Sequence, residues 1–314
     1  MSETGVVNES EQPLVAAVVL TWNDTEMTSR CVASVLANDY PNTRTIVVDN
    51  GSDPPGIAIL QNTFPGIDGV QLDYNTGFTG GCNAGLKHGL ELGAKYLFLL
   101  NNDTIVAPRA ISELVQALEA RPDAGAASAL LFYPGDERRI QFFRGTVFRD
   151  TAEHRHPDDG QLWSPEYART VDTEFVPACA LAYRAEALQQ AGLFDESLFT
   201  NWEDYDLHLR LADHGWKLLT VGTAEVIHAH GQTTGKISPF ITYLFTRNRL
   251  ICLFRFGRLP GILRGAPHYA RTLYWQIREY GWTNWAAHRA FLRGTLDFFL
   301  GVRGKGNVPT RRKD

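Results

Sequence analysis

Cysteine is scarce and scattered in this chain: Cys31, Cys82, Cys179 and Cys252 are the four present, with no CxxC pair among them. That spacing argues against a zinc site or a disulfide framework and fits a reducing compartment. No apolar run approaches the roughly 18 to 20 residues that span a bilayer. The polar, acidic start from Met1 to Pro13 has neither a basic flank nor an apolar core, so a signal peptide is not expected. The glycine-rich signatures of two common nucleotide folds are missing as well. Gly77, Gly80 and Gly81 follow the order GxxGG, which matches neither GxGxxG nor GxxxxGK[ST], and this removes dehydrogenase and P-loop readings. No nucleic-acid recognition module is visible, so nucleic acid is not an expected partner. The expectation is a soluble or membrane-peripheral protein in the cytoplasm.

Acidic residues are nearly absent from the last quarter of the chain. From Lys236 onward there are 15 Lys and Arg against Glu279, Asp297 and Asp314, a balance of +12. The net charge of −5 therefore leaves −17 on residues 1–235. An acidic body with a basic end points to two parts with different partners.

What is present is an alternation of apolar runs and helical patterns. Leu14 to Leu20 is continuously apolar, as in a strand buried on both faces, and Asp24 or Thr25 can cap a helix carrying Val32, Val35 and Leu36. Further strands are predicted at Thr45–Val48, Gly69–Leu72 and Tyr96–Leu100, with a helix from the glycine cluster to about Leu92 and another from about Pro108. This alternation predicts an α/β fold around a mostly parallel sheet. After about Gly125 strand-like pieces (Ala126–Phe132, Gln141–Phe148, Thr173–Val176) surround a polar loop, Asp150 to Ala168, which reads equally as a substrate lid or as a disordered connection. A helix from Glu203 to His214 precedes strands at Leu218–Val221 and Val226–Ile227. Helices are then predicted at Phe240–Phe256, Pro267–Tyr280 and Asn284–Val302. The organisation expected is a flexible tail (1–13), a catalytic domain (14–235), a basic helical subdomain (236–302) and a second tail (303–314).

Four polar loops would follow strand ends and line one crevice suited to a nucleotide: Thr21-Trp22-Asn23, Asp49-Asn50-Gly51-Ser52, Asn75 to Asn83, and Asn101-Asn102-Asp103. Asp49 could accept from a pyrimidine N3–H or a ribose hydroxyl, and Gly77, Gly80 and Gly81 would let backbone approach a ligand. Asp103, just past a buried strand, could hold a divalent cation and a diphosphate, or could cap a helix. Glu203, Asp204 and Asp206 could supply a general base, or could be first-turn acids favoured by a helix dipole.

Six segments in order, VVLTWND (18–24), VVDNGS (47–52), NTGFTGGCN (75–83), FLLNNDT (98–104), NWEDYDLHLRL (201–211) and VIHAHG (226–231), resemble the family 2 glycosyltransferases of the GT-A fold, particularly their bacterial rhamnosyltransferase-like branch. The resemblance implies an inverting, metal-dependent transferase using a pyrimidine nucleotide-sugar donor, with dTDP-L-rhamnose first and a UDP-sugar as the alternative. The acceptor would be a hydroxyl of a glycan or a polyprenyl-diphosphate-linked glycan, in cell-surface polysaccharide synthesis. It places Thr21, Asn23 and Asp49 at the nucleotide, Asp49 facing the base. Asn75, Gly80, Gly81 and Asn83 would wall the nucleotide-sugar, with Asn102 beside them. Asp103 corresponds to the last Asp of the family's DxD motif, Asn101 standing at its first position. His228 would complete the site for Mg²⁺ or Mn²⁺, with His230 second, or be a hydrogen-bonded core histidine. Asp204 would be the base, with Trp202, Glu203, Ala178 and Cys179 toward the acceptor. Arg247 would reach the diphosphate, or lie on a solvated basic face.

The C-terminal helices mix Arg with Phe, Leu, Tyr and Trp, a composition suited to the inner face of an anionic membrane. An ordinary helical subdomain or a homodimer contact stands beside that reading. A sugar nucleotidyltransferase would carry a glycine-rich loop after the first strand, where Thr21-Trp22-Asn23 stands; a non-catalytic scaffold would bind nucleotide without turnover.

Overall fold

The computed structural model describes residues 12–229, 238–257, 267, 270–274, 278 and 284–306. His230, most of the expected N-terminal tail and most of the helix expected at 267–280 lie outside these residues.

The first half follows the alternation of the sequence. Strand β1 (Val15–Thr21) leads to helix α1 (Thr25–Leu36), whose N-terminus is capped by Asp24 accepting from the Met27 backbone N–H. There follow β2 (Thr43–Asp49), α2 (Ile57–Thr63), β3 (Asp68–Gln71), α3 (Gly77–Glu91) and β4 (Tyr96–Asn101). β1 pairs in parallel with both β2 and β4, and β2 with β3. β1 and β4 are formed by continuous apolar runs because both faces of the sheet are covered there, whereas the edge strand β3 is polar and half-exposed.

The second half is a mixed sheet that the sequence did not disclose. β5 (Thr104–Val106), α4 (Ala110–Ala120) and β6 (Ala124–Phe132) precede the short strands β7 (Ile140–Phe142), β8 (Thr146–Phe148), β9 (Glu153–Arg155) and β10 (Thr170–Thr173). β11 (Ala180–Arg184), α5 (Ala185–Ala191), α6 (Glu203–Asp213) and β12 (Lys217–His228) complete the core. The sheet order is β10-β12-β6-β11-β4-β1-β2-β3, with β5 beside β12 and β7 beside β6. β11 runs antiparallel to both β4 and β6, while β6 and β12 pair in parallel, so the mostly parallel sheet is interrupted by β11 and edged by the antiparallel β10.

Several expectations need correction. The two strands foreseen at 218–227 are one, β12, whose register against β6 shifts between Val221 and Glu225. The polar loop 150–168 is no disordered connection: β9 pairs with β8, and Gln161 and Gly160 hydrogen-bond to Ile140. α7 (Pro239–Phe256) contributes Cys252 and Leu253 to the same buried core as the sheet. α8 (Trp285–Phe299) packs on α7. The tail expected from residue 303 begins as ordered chain, the Gly304 N–H donating to the Ser197 carbonyl at 2.6 Å. Among the described residues no helix is long and apolar enough to cross a membrane.

Candidate active site

The strand register brings the polar loops to one edge: Thr21 lies opposite Asp49, and Leu20 opposite Asn101. At that edge the side chains mostly hold one another. Asp49 is fully buried, its two oxygens accepting from the backbone N–H groups of Ser52 (2.8 Å) and Gly56 (2.7 Å). These bonds shape the 50–56 loop, and Asp49 presents no exposed surface of its own. Asn23, at φ +55°, accepts from the Asp53 N–H while its own N–H donates to the Ser52 hydroxyl, tying that loop to β1. The Thr28 hydroxyl donates to Thr21 at 2.6 Å and accepts from the Asn102 amide at 3.2 Å, linking two strand ends.

Asn50, which the sequence placed in the second polar loop without a role of its own, is the organiser of the third loop. Its amide NH₂ donates to the Gly77 carbonyl (2.8 Å), and its Oδ1 accepts from the backbone and hydroxyl of Thr76 (both 2.9 Å). Asn75 accepts from the Gly77 N–H. The glycines serve packing rather than ligand approach. A Cβ on Gly81 would stand 2.5 Å from Leu20 Cδ1, one on Gly80 2.6 Å from the Thr76 hydroxyl, and one on Gly77 (φ +82°) would overlap the Phe199 carbonyl. Gly81, Gly85 and Gly89 seat α3 directly on β1. Asn83 likewise does not face a ligand: it donates to the Phe194 carbonyl and Glu196 and accepts from the Phe194 N–H.

Asp103 and His228 meet at the end of β4 and β12, Oδ1 and Nε2 3.2 Å apart and both buried. β5 pairs with the end of β12, setting His228 opposite Thr104, and the Ala229 N–H donates to the Asp103 carbonyl. The other ring nitrogen, Nδ1, bonds Gln141 Oε1 at 2.6 Å, which turns Nε2 toward Asp103. Gln141 was missed: in sequence it is one residue in a strand-like piece, and only the β6–β7 pairing carries it to the site. Asn101 Nδ2 stands 3.4 Å from His228 Nε2. Burial opposes charging the imidazole, yet the Cys179 thiol and the Asp103 carboxylate favour its protonated form and lift it to about 10. The Cys179 side chain thus lies against His228, and the Asn101 N–H bonds the Cys179 carbonyl as β11 joins β4. Among the described residues no three His, Cys, Asp or Glu side chains group as metal ligands.

Asp204 stands in the first turn of α6, half-buried, accepting from the Tyr205 N–H at 2.7 Å and bonded to the Ala178 backbone. Burial raises its pKa to about 6, against those bonds. Glu203 is more deeply buried, its Oε2 has no partner, and burial together with the Asp204 charge pushes it to about 8. The third acid is structural: Asp206 is fully buried and paired with Arg210 and Arg255. Trp202 does not offer a sugar platform. It is 6% exposed, packed edge-on against Tyr205 and His154 and tilted against Phe245.

The segment before Asp204 is unusual in its backbone. Phe199, Asn201 and Trp202 all have φ between 66° and 74°, a region costly for residues with a Cβ. α7 holds it there. The Asn248 amide donates to the carbonyls of Leu198 (2.8 Å), Thr200 (2.9 Å) and Asn201 (2.9 Å). Arg247 has no exposed surface; it bonds Asn248 Oδ1, the Tyr243 hydroxyl and the carbonyls of Ser197 and Leu198. Neither of its expected places, on a diphosphate or on a solvated face, is the one it takes. Arg249, also buried, bonds the carbonyls of Thr151 and Ala152.

The arrangement is matched by known proteins. Residues 12–238 match the family described as "Glycosyltransferase like family 2". The chain is 25% identical over 313 residues to the N-acetylglucosaminyl-diphospho-decaprenol L-rhamnosyltransferase of Mycobacterium tuberculosis, covering 92% of this chain and 91% of that one. It is 25% identical over 230 residues to galactofuranosyltransferase GlfT1 of Mycolicibacterium smegmatis, covering 73% and 74%. Among solved structures it resembles GalNAc-T7, crystallised with UDP, GalNAc and Mn²⁺, with a TM-score of 0.58 and 16% identity. That match covers 76% of this chain and 47% of the other, and it bears on the fold. This chain belongs to glycosyltransferase family 2, a transferase enzyme with the GT-A fold and relatives among bacterial rhamnosyl- and galactofuranosyltransferases.

Proposed function

We propose that this enzyme is an inverting transferase that moves L-rhamnose from dTDP-L-rhamnose onto a hydroxyl of a glycan or polyprenyl-diphosphate-linked glycan in cell-surface polysaccharide synthesis, working at the cytoplasmic face of the membrane. The observation that carries the chemistry is the joint between Ala178 and Cys179: one bonds Asp204, the next touches His228. The Asp204 carboxylate and the Asp103–His228 pair therefore adjoin two consecutive residues just before β11.

Asp204 acts as the general base. Its carboxylate takes the proton of the acceptor hydroxyl as that oxygen attacks the anomeric carbon from the face opposite the nucleotide. The new C–O bond forms while the anomeric C–O–P bond breaks and the nucleoside diphosphate leaves, which inverts the centre. A pKa near 6 suits this role, since the group is ionised at neutral pH yet holds more proton affinity than an exposed carboxylate. Glu203, neutral at pH 7 with its carboxyl pushed to about 8, can donate a hydrogen bond to an acceptor oxygen without adding a second charge. The donor nucleotide lies against the loops that Asp49 and Asn50 shape.

The convergent, buried Asp103 carboxylate and His228 Nε2 would fit a Mg²⁺ or Mn²⁺ ion once the imidazole gives up its proton, which the ion would displace. Asp103 and His228 would hold it, with Gln141 fixing the ring; when bound it neutralises charge on the departing diphosphate.

The donor choice follows the rhamnosyltransferase relative, which aligns along nearly the whole chain. Galactofuranose from a UDP donor is the second reading, favoured by the other relative. A panel of nucleotide-sugars, scored by thermal shift and hydrolysis with Mg²⁺, Mn²⁺ or EDTA, separates them. Stabilisation by dTDP-rhamnose that is lost in EDTA and in Asp103→Ala is the expected result. A response confined to UDP-sugars would overturn the donor, and metal-independent silence toward all of them would overturn the function.

A further inference from the structure

α8 is apolar on two opposite faces. The face turned to α7 buries Ala287, Ala290, Phe291 and Gly294, and the 3.6-residue period places Trp285, Leu292, Leu296 and Phe299 directly opposite. These outward residues are 67%, 63%, 49% and 68% exposed, and Leu300 continues the stripe. The patch extends through Phe298 to the exposed Phe254 of α7, their rings 4.9 Å apart, across an open groove of about 590 Å³. Contiguous apolar surface of this kind marks an interaction site.

Charge selects the partner. Between residues 284 and 306 the only acid is Asp297, which is fully buried and bonded to the Tyr243 hydroxyl and to Arg293. The exposed charges, Arg289, Arg293, Arg303 and Lys305, are all positive. Two copies meeting through this face would oppose like charges. An anionic bilayer accepts both the apolar stripe and its basic rim, with Trp285 at headgroup depth.

We propose that the outer face of α8, continued onto Phe254, is a docking surface for an anionic phospholipid bilayer. It lays α8 in the membrane plane, with Leu292, Leu296 and Phe299 in the acyl boundary and Arg289, Arg303 and Lys305 among lipid phosphates, Arg293 staying paired with Asp297. This assignment stands independently of donor and acceptor, because its readout needs neither.

The test is co-sedimentation of the full chain with phosphatidylglycerol vesicles and with phosphatidylcholine vesicles. Binding to the anionic vesicles that weakens with salt is expected, with partition falling at least tenfold in Leu292→Asp/Leu296→Asp. Arg303→Ala/Lys305→Ala should lose about fivefold per charge removed. Unchanged melting temperature and nucleotide stabilisation would show the variants folded. Absence of binding to anionic vesicles, or binding untouched by the Asp substitutions, overturns the proposal. Self-association that Leu296→Asp abolishes, with no vesicle binding, overturns it in favour of a second copy of the chain.

Discussion

Asn248→Ala is the perturbation that most directly asks how the Asp204 carboxylate, the proposed base, is held. The side chain is buried and makes three amide-to-carbonyl bonds, to Leu198, Thr200 and Asn201, besides accepting from Arg247 at 3.0 and 2.9 Å. Each such bond contributes about 1 kcal/mol net, and a buried group left without its partner costs about 1–3 kcal/mol. Not all of these add, since the loop can relax toward water, so a loss of about 3–4 kcal/mol is expected. For a chain of this size that corresponds to a fall in Tm of roughly 4–6 °C. The same bonds restrain Phe199, Asn201 and Trp202 in left-handed backbone, immediately before Asp204. Released, that segment gains ordinary conformations, and kcat should fall about tenfold or more because a misplacement near 1 Å is enough. Asn248→Asp separates the two roles: it keeps an acceptor for Arg247 but turns a carboxylate toward three carbonyl oxygens. It should retain more stability than Asn248→Ala and still lose activity. Urea unfolding and transferase assays read both. An Asn248→Ala enzyme with Tm within 1 °C and kcat within twofold of the parent would refute the reasoning.

Asp204→Asn should lower kcat by about 10²–10⁴-fold with substrate binding retained, and the parental rate should fall as pH drops through about 6, where the carboxylate takes up its proton; a pH-independent parental rate would contradict the base assignment. Glu203 has a folded pKa raised to about 8 from an ordinary value of 4.5, so it favours folding fully only below that ordinary value and the contribution is lost as pH rises through 8. Glu203→Gln should therefore flatten the decline of stability between pH 5 and 8, seen in denaturant midpoints across pH. Gln141→Ala frees His228 Nδ1 and should weaken Mn²⁺ affinity by about 10–100-fold, measured by metal-dependent thermal shift or by electron paramagnetic resonance. Gly77→Ala meets the Phe199 carbonyl at positive φ and should cost more than Gly80→Ala, whose Cβ meets only the Thr76 side chain. Equal melting temperatures for the two would count against that packing account.

The family was legible in the chain because its six segments stand in order, and the parallel half of the sheet because its strands are short, apolar and separated by helical periods. The mixed half was not. β11 follows Pro177-Ala178-Cys179 with no turn signal that sets its direction, and its antiparallel seat between β4 and β6 depends on which strands lie beside it. Asp103 and the polar loops stood out by their place at strand ends, whereas His228 and the choice of Asp204 among three neighbouring acids came from the resemblance to the family.

What each polar side chain does, however, was settled by its neighbours. Asp49, Asn83, Trp202, Cys179 and Arg247 were all plausible ligand-facing groups by type, and each is buried and turned to protein. A buried polar atom has to find its partner within the fold, and those partners, Phe194 for Asn83 or Ser197 for Arg247, lie 50 to 111 residues away. Local sequence fixes the period of a strand or helix, the cap and the residue at its end, because these depend on contacts within a few residues. The long-range pairings that join Gln141 to His228, Ala178 to Asp204 and Asn248 to the 198–201 carbonyls exist only once the sheet has closed and α7 has packed beside α6.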